Sequence, residues 1–194
     1  MAEVLLFHHV LGLTDGVRHL ADRLGAAGHT VHTPDLYGGR TFGTIETGAA
    51  FADGAAAPDQ VALADEAVAA LPEGIVYAGI SSGVMQAQRL AQTRPGAAGA
   101  LLLESCLPLT GPWSFGPWPD DVPVQVHGMA DDAFFAGEGD LDAARELVAA
   151  APDAELFVYP GDAHLFEDDS LASYDAEAAT LLTERLLAFL DRVS

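Results

Sequence analysis

Short runs of hydrophobic residues alternate along the chain with amphipathic segments. Six of these runs predict buried strands, at Val4–Phe7, Thr30–Thr33, Ile75–Ile80, Ala100–Leu103, Val124–His127 and Glu155–Tyr159. Hydrophobic residues recur at helical spacing in the segments between them, which predicts helices at Thr14–Ala27, Asp59–Leu71, Ser82–Thr93, Leu141–Ala151 and Asp175–Arg192. Near-continuous hydrophobic strands separated by helices indicate an α/β fold, with a mostly parallel sheet of about six to seven strands and helices on both faces.

Two segments do not follow this alternation. Residues Tyr37–Gly54 are rich in glycine and predict an irregular segment. Residues 105–121 contain four prolines and two tryptophans, Trp113 and Trp118, and predict a long structured loop. Because no linker, repeat or charge block divides the chain, a single domain over residues 1–194 is expected.

The chain carries a strongly negative charge. Eight arginines and no lysine stand against 29 acidic residues, which gives a formal net charge of −21 and a pI near 4.2. Nucleic acids and anionic membranes bind positive surfaces, so neither is expected as a partner. Half of the residues are hydrophobic, which excludes a disordered acidic chain. Cys106 is the only cysteine, and no signal-peptide or membrane-spanning pattern is found, so a cytoplasmic location is expected.

One motif points to nucleophilic catalysis. Gly79-Ile80-Ser81-Ser82-Gly83 has the G-x-S-x-G pattern of a nucleophile elbow, in which a sharp strand-to-helix turn exposes a serine hydroxyl. Here the motif directly follows a predicted strand and opens a predicted helix, as an elbow requires. We therefore predict that Ser81 is a nucleophile; the alternative is an ordinary glycine-rich turn.

A serine nucleophile needs a base and an acid that orients the base. His164 follows the last predicted strand and is the only histidine in a suitable loop, so it is the predicted base. The adjacent Asp131 and Asp132 follow the strand before it, and only one of them can point inward. Asp131, at the earlier position, is preferred as the acid. Glu104, which ends another strand, is an alternative acid, although a pocket-lining role is favoured for it.

The oxyanion that forms during attack should be bound by two backbone N–H groups. One is that of Ser82, and the other comes from the loop after the first strand, where Val10 is the candidate. The substrate pocket is expected to be lined by His9, Leu11, Glu104, Trp113, Phe134 and Phe135.

Five motifs together resemble the dienelactone hydrolase family, a compact branch of the α/β-hydrolases. They are His8-His9-Val10-Leu11-Gly12-Leu13, Thr33-Pro34-Asp35-Leu36-Tyr37, the Ser81 elbow, Gly128-Met129-Ala130-Asp131 and Gly161-Asp162-Ala163-His164-Leu165-Phe166. The resemblance extends over nearly the whole chain. It implies an α/β-hydrolase fold, with the family's triad at Ser81, Asp131 and His164 and its second oxyanion donor at Val10. A chain of this length leaves no room for a large cap domain.

Three departures from the family pattern affect the expected substrate. The best-known members use a cysteine nucleophile where this chain has Ser81, and they carry a glutamate where this chain has His9. They also bind the substrate carboxylate with arginines, one of them shortly after the catalytic histidine. Here that segment reads Leu165-Phe166-Glu167-Asp168-Asp169, which would repel an anion. The resemblance therefore implies the family's scaffold without its dienelactone substrate.

The sequence thus predicts a serine hydrolase that cleaves a carboxylic ester, lactone or thioester of a small, neutral substrate through an acyl-enzyme on Ser81. The alternative is a non-catalytic member of the fold that serves as a binding or interaction protein. No metal or cofactor is expected. The expected partner is a small-molecule substrate, and the chain is expected to be a monomer or a weak homodimer.

Overall fold

All six predicted strands are present, and they form one fully parallel sheet. The computed structural model describes residues 1–194. Its strands are β1 (Glu3–Phe7), β2 (Thr30–His32), β3 (Val76–Ile80), β4 (Gly99–Leu103), β5 (Val124–Met129) and β6 (Ala154–Tyr159), in the spatial order β2-β1-β3-β4-β5-β6. The predicted α/β fold, with a parallel sheet of six strands and helices on both faces, is confirmed, and no cap domain is present.

Six helices connect and cover the strands. They are α1 (Asp15–Ala26), α2 (Ile45–Ala52), α3 (Gln60–Ala69), α4 (Val84–Thr93), α5 (Asp140–Ala150) and α6 (Ala176–Arg192). Thr14 is the N-cap of α1, since its side chain accepts the backbone N–H of Val17. None of the helices combines the length and the hydrophobicity that crossing a membrane requires.

Side chains alternate along the central strands and build two hydrophobic cores. On one face, Leu5 and Phe7 of β1 pack in a cluster with side chains from α3, α4 and α5. On the other face, Val4 and Leu6 pack in a second cluster with side chains from α1 and α6. Because successive strand residues point to opposite faces, strands that are hydrophobic throughout must be covered on both sides.

Helix α2 was not predicted, because the glycine-rich segment Tyr37–Gly54 indicated irregular structure. Thr44 starts the helix by accepting the backbone N–H of Thr47. Gly48 is required within it, since a Cβ there would lie 2.3 Å from the carbonyl oxygen of Val10. The glycine thus serves a close approach of α2 to the loop that follows β1.

The strand order places a crevice at the carboxyl ends of β1 and β3. From β1 the chain moves outward to β2 and then returns to β3 on the other side of β1. In open parallel sheets, ligands bind where the strand order reverses in this way. Residues 105–121 contain no helix or strand, as predicted, and pass beside this end of β4.

Candidate active site

Ser81 occupies a strained turn at the end of β3. Its φ is +48°, a left-handed value that non-glycine residues rarely adopt, and it begins a single 3₁₀ turn that leads into α4. Both glycines of the motif are required by space. A Cβ at Gly79 would lie 2.5 Å from the carbonyl of Gly83, and one at Gly83 would lie 2.5 Å from the carbonyl oxygen of Phe7. The strand-to-helix turn therefore has the conformation that the G-x-S-x-G motif predicts.

Two hydrogen bonds connect a serine, a histidine and a carboxylate. Ser81 Oγ lies 2.9 Å from His164 Nε2, and His164 Nδ1 lies 2.7 Å from Asp132 Oδ2. With Nδ1–H donating to the carboxylate, Nε2 is left free to accept the serine proton. Asp132 is only 1% exposed, so its carboxylate is shielded from water beside the imidazole. This chain of contacts has the geometry of a Ser-His-Asp triad.

The acid in this arrangement is Asp132, and the preference for Asp131 is corrected. Asp131 is exposed, and its backbone N–H donates to the carbonyl oxygen of Gly161, so that the loop after β5 pairs with the loop after β6. The side chain of Asp131 then points away from His164. The next residue points inward, and its other carboxylate oxygen accepts the backbone N–H of Phe134 at 2.9 Å, which fixes its orientation.

The two predicted oxyanion donors lie on neighbouring segments. Ser82 follows the nucleophile in the 3₁₀ turn, and this turn packs directly on the backbone of Phe7 and His8 at the end of β1. Val10 follows in the same loop and is buried. Its backbone N–H makes no hydrogen bond within the protein, so it is free to bind a ligand oxygen.

His9 does not line the pocket, contrary to the prediction. Its ring is fully buried, with Nε2 2.8 Å from Asp168 Oδ2, and Nδ1 accepts the backbone N–H of Leu11. Burial alone would favour the protonated form of Asp168, but hydrogen bonds from His9, Ser170 and Thr14 lower the pKa of Asp168 to about 2. His9 therefore fastens the loop of Val10 to the loop that follows His164.

Ser81 opens onto a cleft of about 910 Å³ that is lined by acidic residues. Six carboxylates border it, from Asp53, Asp59, Glu138, Asp140, Asp142 and Glu146, and none of the eight arginines does. Trp113, which is 67% exposed, also borders the cleft, as predicted. A second cavity of about 400 Å³ lies on the His164 side and is bordered by Leu11 and Phe134, whose ring centroid is 4.7 Å from that of His164.

Two other residues predicted to line the pocket lie elsewhere. Phe135 is fully buried and fills the space beside Gly128, where a Cβ would lie 2.2 Å from its ring. Glu104 is also buried, borders neither cavity and instead contacts the loop of His164. Both residues are close in sequence to the site but are buried, and they contact the loops that carry it.

Asp140 is a site residue that the sequence pattern did not reveal. It begins α5, borders the large cleft, and accepts hydrogen bonds from the Ser105 hydroxyl at 2.5 Å and the Cys106 backbone N–H at 3.3 Å. Burial raises its pKa above the usual range of an aspartate. The thiol of Cys106 is buried as well, which raises its pKa and makes it a poor nucleophile.

Part of the chain matches a known protein family. The model of the dienelactone hydrolase family matches residues 120–194, which include Asp132 and His164. This match confirms the resemblance predicted from the motifs. No curated protein sequence matches the chain significantly.

Solved structures resemble the whole chain at low sequence identity. A Klebsiella pneumoniae protein assigned as a dienelactone hydrolase superposes with a TM-score of 0.75 and 23% identity, covering 99% of this chain and 87% of its own. A dienelactone hydrolase-like promiscuous phosphotriesterase from metagenomic libraries gives 0.75 and 19%, covering 100% and 87%. A thermophilic esterase from Thermogutta terrifontis, solved with propionate, gives 0.69 and 18%, covering 100% and 84%. At these identities the similarity establishes the fold.

Proposed function

We propose that the chain is a serine hydrolase that cleaves a carboxylic ester, lactone or thioester through an acyl-enzyme on Ser81. The match of residues 120–194 to the model of the dienelactone hydrolase family supports this proposal. The observation that carries this proposal is the hydrogen-bond chain from Ser81 through His164 to Asp132, with the serine held in a strained elbow. Fold alone would not specify a reaction, whereas a nucleophile, a base and an orienting acid in contact do.

Acylation follows from the positions of these three groups. As Ser81 Oγ bonds to the substrate carbonyl carbon, its proton passes to His164 Nε2, and Asp132 stabilises the resulting imidazolium. The carbonyl oxygen becomes an oxyanion, which the backbone N–H groups of Ser82 and Val10 are positioned to bind; each such donor contributes about 3 kcal/mol. His164 then gives the proton to the leaving oxygen or sulfur as the tetrahedral intermediate collapses to the acyl-enzyme.

Deacylation uses the same groups in reverse roles. A water molecule takes the place of the leaving group and gives a proton to His164 as its oxygen attacks the acyl carbon. The second tetrahedral intermediate collapses, the proton returns to Ser81 Oγ, and the carboxylic acid is released. Every proton is thus accounted for by one imidazole.

The lining of the cleft supports a neutral acyl group over an anionic one. Six carboxylates and no cation border the cleft, and the segment after His164 is acidic as well. A substrate carboxylate would find no counter-ion there and would be repelled. Nonpolar side chains such as Met85, Val61 and Trp113 also border the cleft and favour small hydrophobic groups.

We expect a fluorophosphonate probe to modify Ser81 and to block hydrolysis of p-nitrophenyl acetate and butyrate. The probe is attacked by an activated serine and stops at the phosphonylated enzyme. The measurement is the mass of the peptide that contains Gly79–Gly83, together with loss of the p-nitrophenolate signal. If neither labelling nor hydrolysis of short esters, thioesters and lactones is observed, the proposal fails and the chain is a non-catalytic binding protein of this fold.

We expect the enzyme to discriminate against anionic acyl groups. At low ionic strength, kcat/KM for p-nitrophenyl hemisuccinate should be about tenfold or more below that for the butyrate ester, and the difference should shrink as salt screens the cleft. Asp140→Asn and Glu146→Gln should each narrow the difference. The control is Asp191→Asn, a 78% exposed carboxylate on α6, which should leave the ratio unchanged. Equal rates for the two esters at all salt concentrations would contradict this expectation.

A further inference from the structure

Glu104 holds the backbone of the loop that carries His164. It follows β4 and is only 1% exposed. Its carboxyl oxygens accept the backbone N–H groups of Leu165 at 2.7 Å and Phe166 at 3.1 Å. These are the two residues directly after His164. One buried side chain therefore binds the peptide groups that determine where the imidazole lies.

The backbone at both ends of this contact is strained. Glu104 and Leu165 both have φ near +60°, in the left-handed region that non-glycine residues seldom occupy. The Glu104 backbone N–H also donates to the carbonyl oxygen of His127 at 2.6 Å, which fixes its main chain at the end of the sheet. Strained residues persist where surrounding contacts determine their conformation, and such positions cluster at functional sites.

Several buried carboxyl groups lie close together near His164, and it would be unfavourable for all of them to be ionised. Polar side-chain atoms of Glu104, Asp132 and His164 lie within 4.8 Å of one another. Glu167 is buried near Glu104, and no N–H or O–H donor of another residue forms a hydrogen bond with either of its carboxyl oxygens. Isolated buried carboxylates are costly, so such groups retain a proton unless donors or cations compensate them.

The pKa shifts agree with this expectation. Burial and then the charge of Glu167 raise the pKa of Glu104 well above its usual range, although the two backbone N–H groups oppose the shift. Burial raises the pKa of Glu167 to about 8. Other groups that face the pair are His164, Asp132 and Asp168, and the phenol of Tyr159, which Arg185 approaches. At neutral pH the two glutamates therefore hold at least one proton between them.

We propose that Glu104 is a positioning residue for His164, and that a proton held by the Glu104–Glu167 pair allows it to sit beside Asp132. The inference rests on the proposed function, because it assigns Glu104 a role toward the general base. When the pair loses its proton at alkaline pH, a further buried negative charge arises beside Asp132. Repulsion then loosens the loop of His164, and the serine loses its base.

The test compares Glu104→Gln with Glu167→Gln. Glu104→Gln keeps the volume but loses one acceptor, so amide hydrogen exchange at Leu165 and Phe166 should become faster. Fluorophosphonate labelling of Ser81 should slow by about tenfold to a hundredfold, with kcat reduced more than KM is changed. In the wild type, labelling should decline above about pH 8, and Glu167→Gln, which cannot ionise, should move this decline to higher pH.

A control variant and the amide-exchange measurement distinguish failure of the proposed function from failure of the positioning role. Glu184→Gln removes an exposed carboxylate on α6 and should reproduce the wild-type pH profile. If the wild type is not labelled at all, the proposed function fails, while amide exchange still tests the contact made by Glu104. If the wild type is labelled and Glu104→Gln matches it in amide exchange, labelling rate and pH profile, the positioning role is refuted. Unchanged alkaline behaviour in Glu167→Gln would refute the shared proton.

Discussion

Replacing Ser81 with alanine is expected to lower kcat/KM for p-nitrophenyl acetate by about 10⁵- to 10⁶-fold. The alanine has no nucleophile to form the acyl-enzyme, so the remaining rate comes from binding and from the oxyanion donors alone. Because Ser81 and His164 act as a unit, the double variant with His164→Ala should be no slower than either single variant by more than a few-fold. Rates are measured by release of p-nitrophenolate, with folding checked by thermal unfolding.

The neighbouring serine provides a matched control. Ser82 lies on the same turn, and its proposed contribution is the backbone N–H, which Ser82→Ala retains. This variant should keep activity within a few-fold of the wild type and should still be labelled by the fluorophosphonate at Ser81. Full activity in Ser81→Ala would overturn the assignment of the nucleophile, and comparable losses in both serine variants would indicate damage to the turn.

The fold could be predicted because the pattern that indicates each strand lies within a few consecutive residues. Most strands are short hydrophobic runs, and all six are recovered to within one or two residues. The serine motif and His164 each directly follow such a strand. Since the carboxyl ends of parallel strands meet at one edge of the sheet, strand positions alone were enough to bring these two residues together.

Features that depend on distant contacts could not be predicted. His9 could be recognised as buried only with Asp168, which lies 159 residues away in sequence. Phe135 fills a space that exists because Gly128 has no side chain, and the same loop could equally have presented it to the cleft. Helix α2 is short and contains Gly48, and glycine has a low helix propensity. Packing against the Val10 loop therefore decides whether this segment is helical.

The choice between the adjacent Asp131 and Asp132 shows that prediction from the sequence can fail by a single residue. In the turn after β5 the side chain of Asp131 is exposed and that of Asp132 is buried, so an error of one residue changes which carboxylate faces the site. The deciding contact is the hydrogen bond from the Asp131 backbone to Gly161, which continues the pairing of β5 and β6 beyond the strands. Nothing in the sequence states how far that pairing extends.

The same contact gives the second large prediction: Asp132→Asn should lower kcat/KM by about 10⁴-fold, whereas Asp131→Asn should leave it nearly unchanged. An asparagine can donate a hydrogen bond to Nδ1 from its amide, which favours the imidazole tautomer with its proton on Nε2. That tautomer cannot accept the proton of Ser81. Asp131 is exposed and contributes only its backbone N–H to the fold, which asparagine retains.

The two variants make the same chemical change at adjacent residues, so they control for each other. Both should unfold at temperatures close to that of the wild type, because each keeps the volume and the backbone hydrogen bonds of the residue it replaces. A large loss in Asp131→Asn with an active Asp132→Asn would mean that the loop rearranges when substrate binds. Retained activity in both would mean that His164 is oriented without either aspartate, and the buried carboxyl group of Glu104, which lies within 4.8 Å of the imidazole, would be the next candidate.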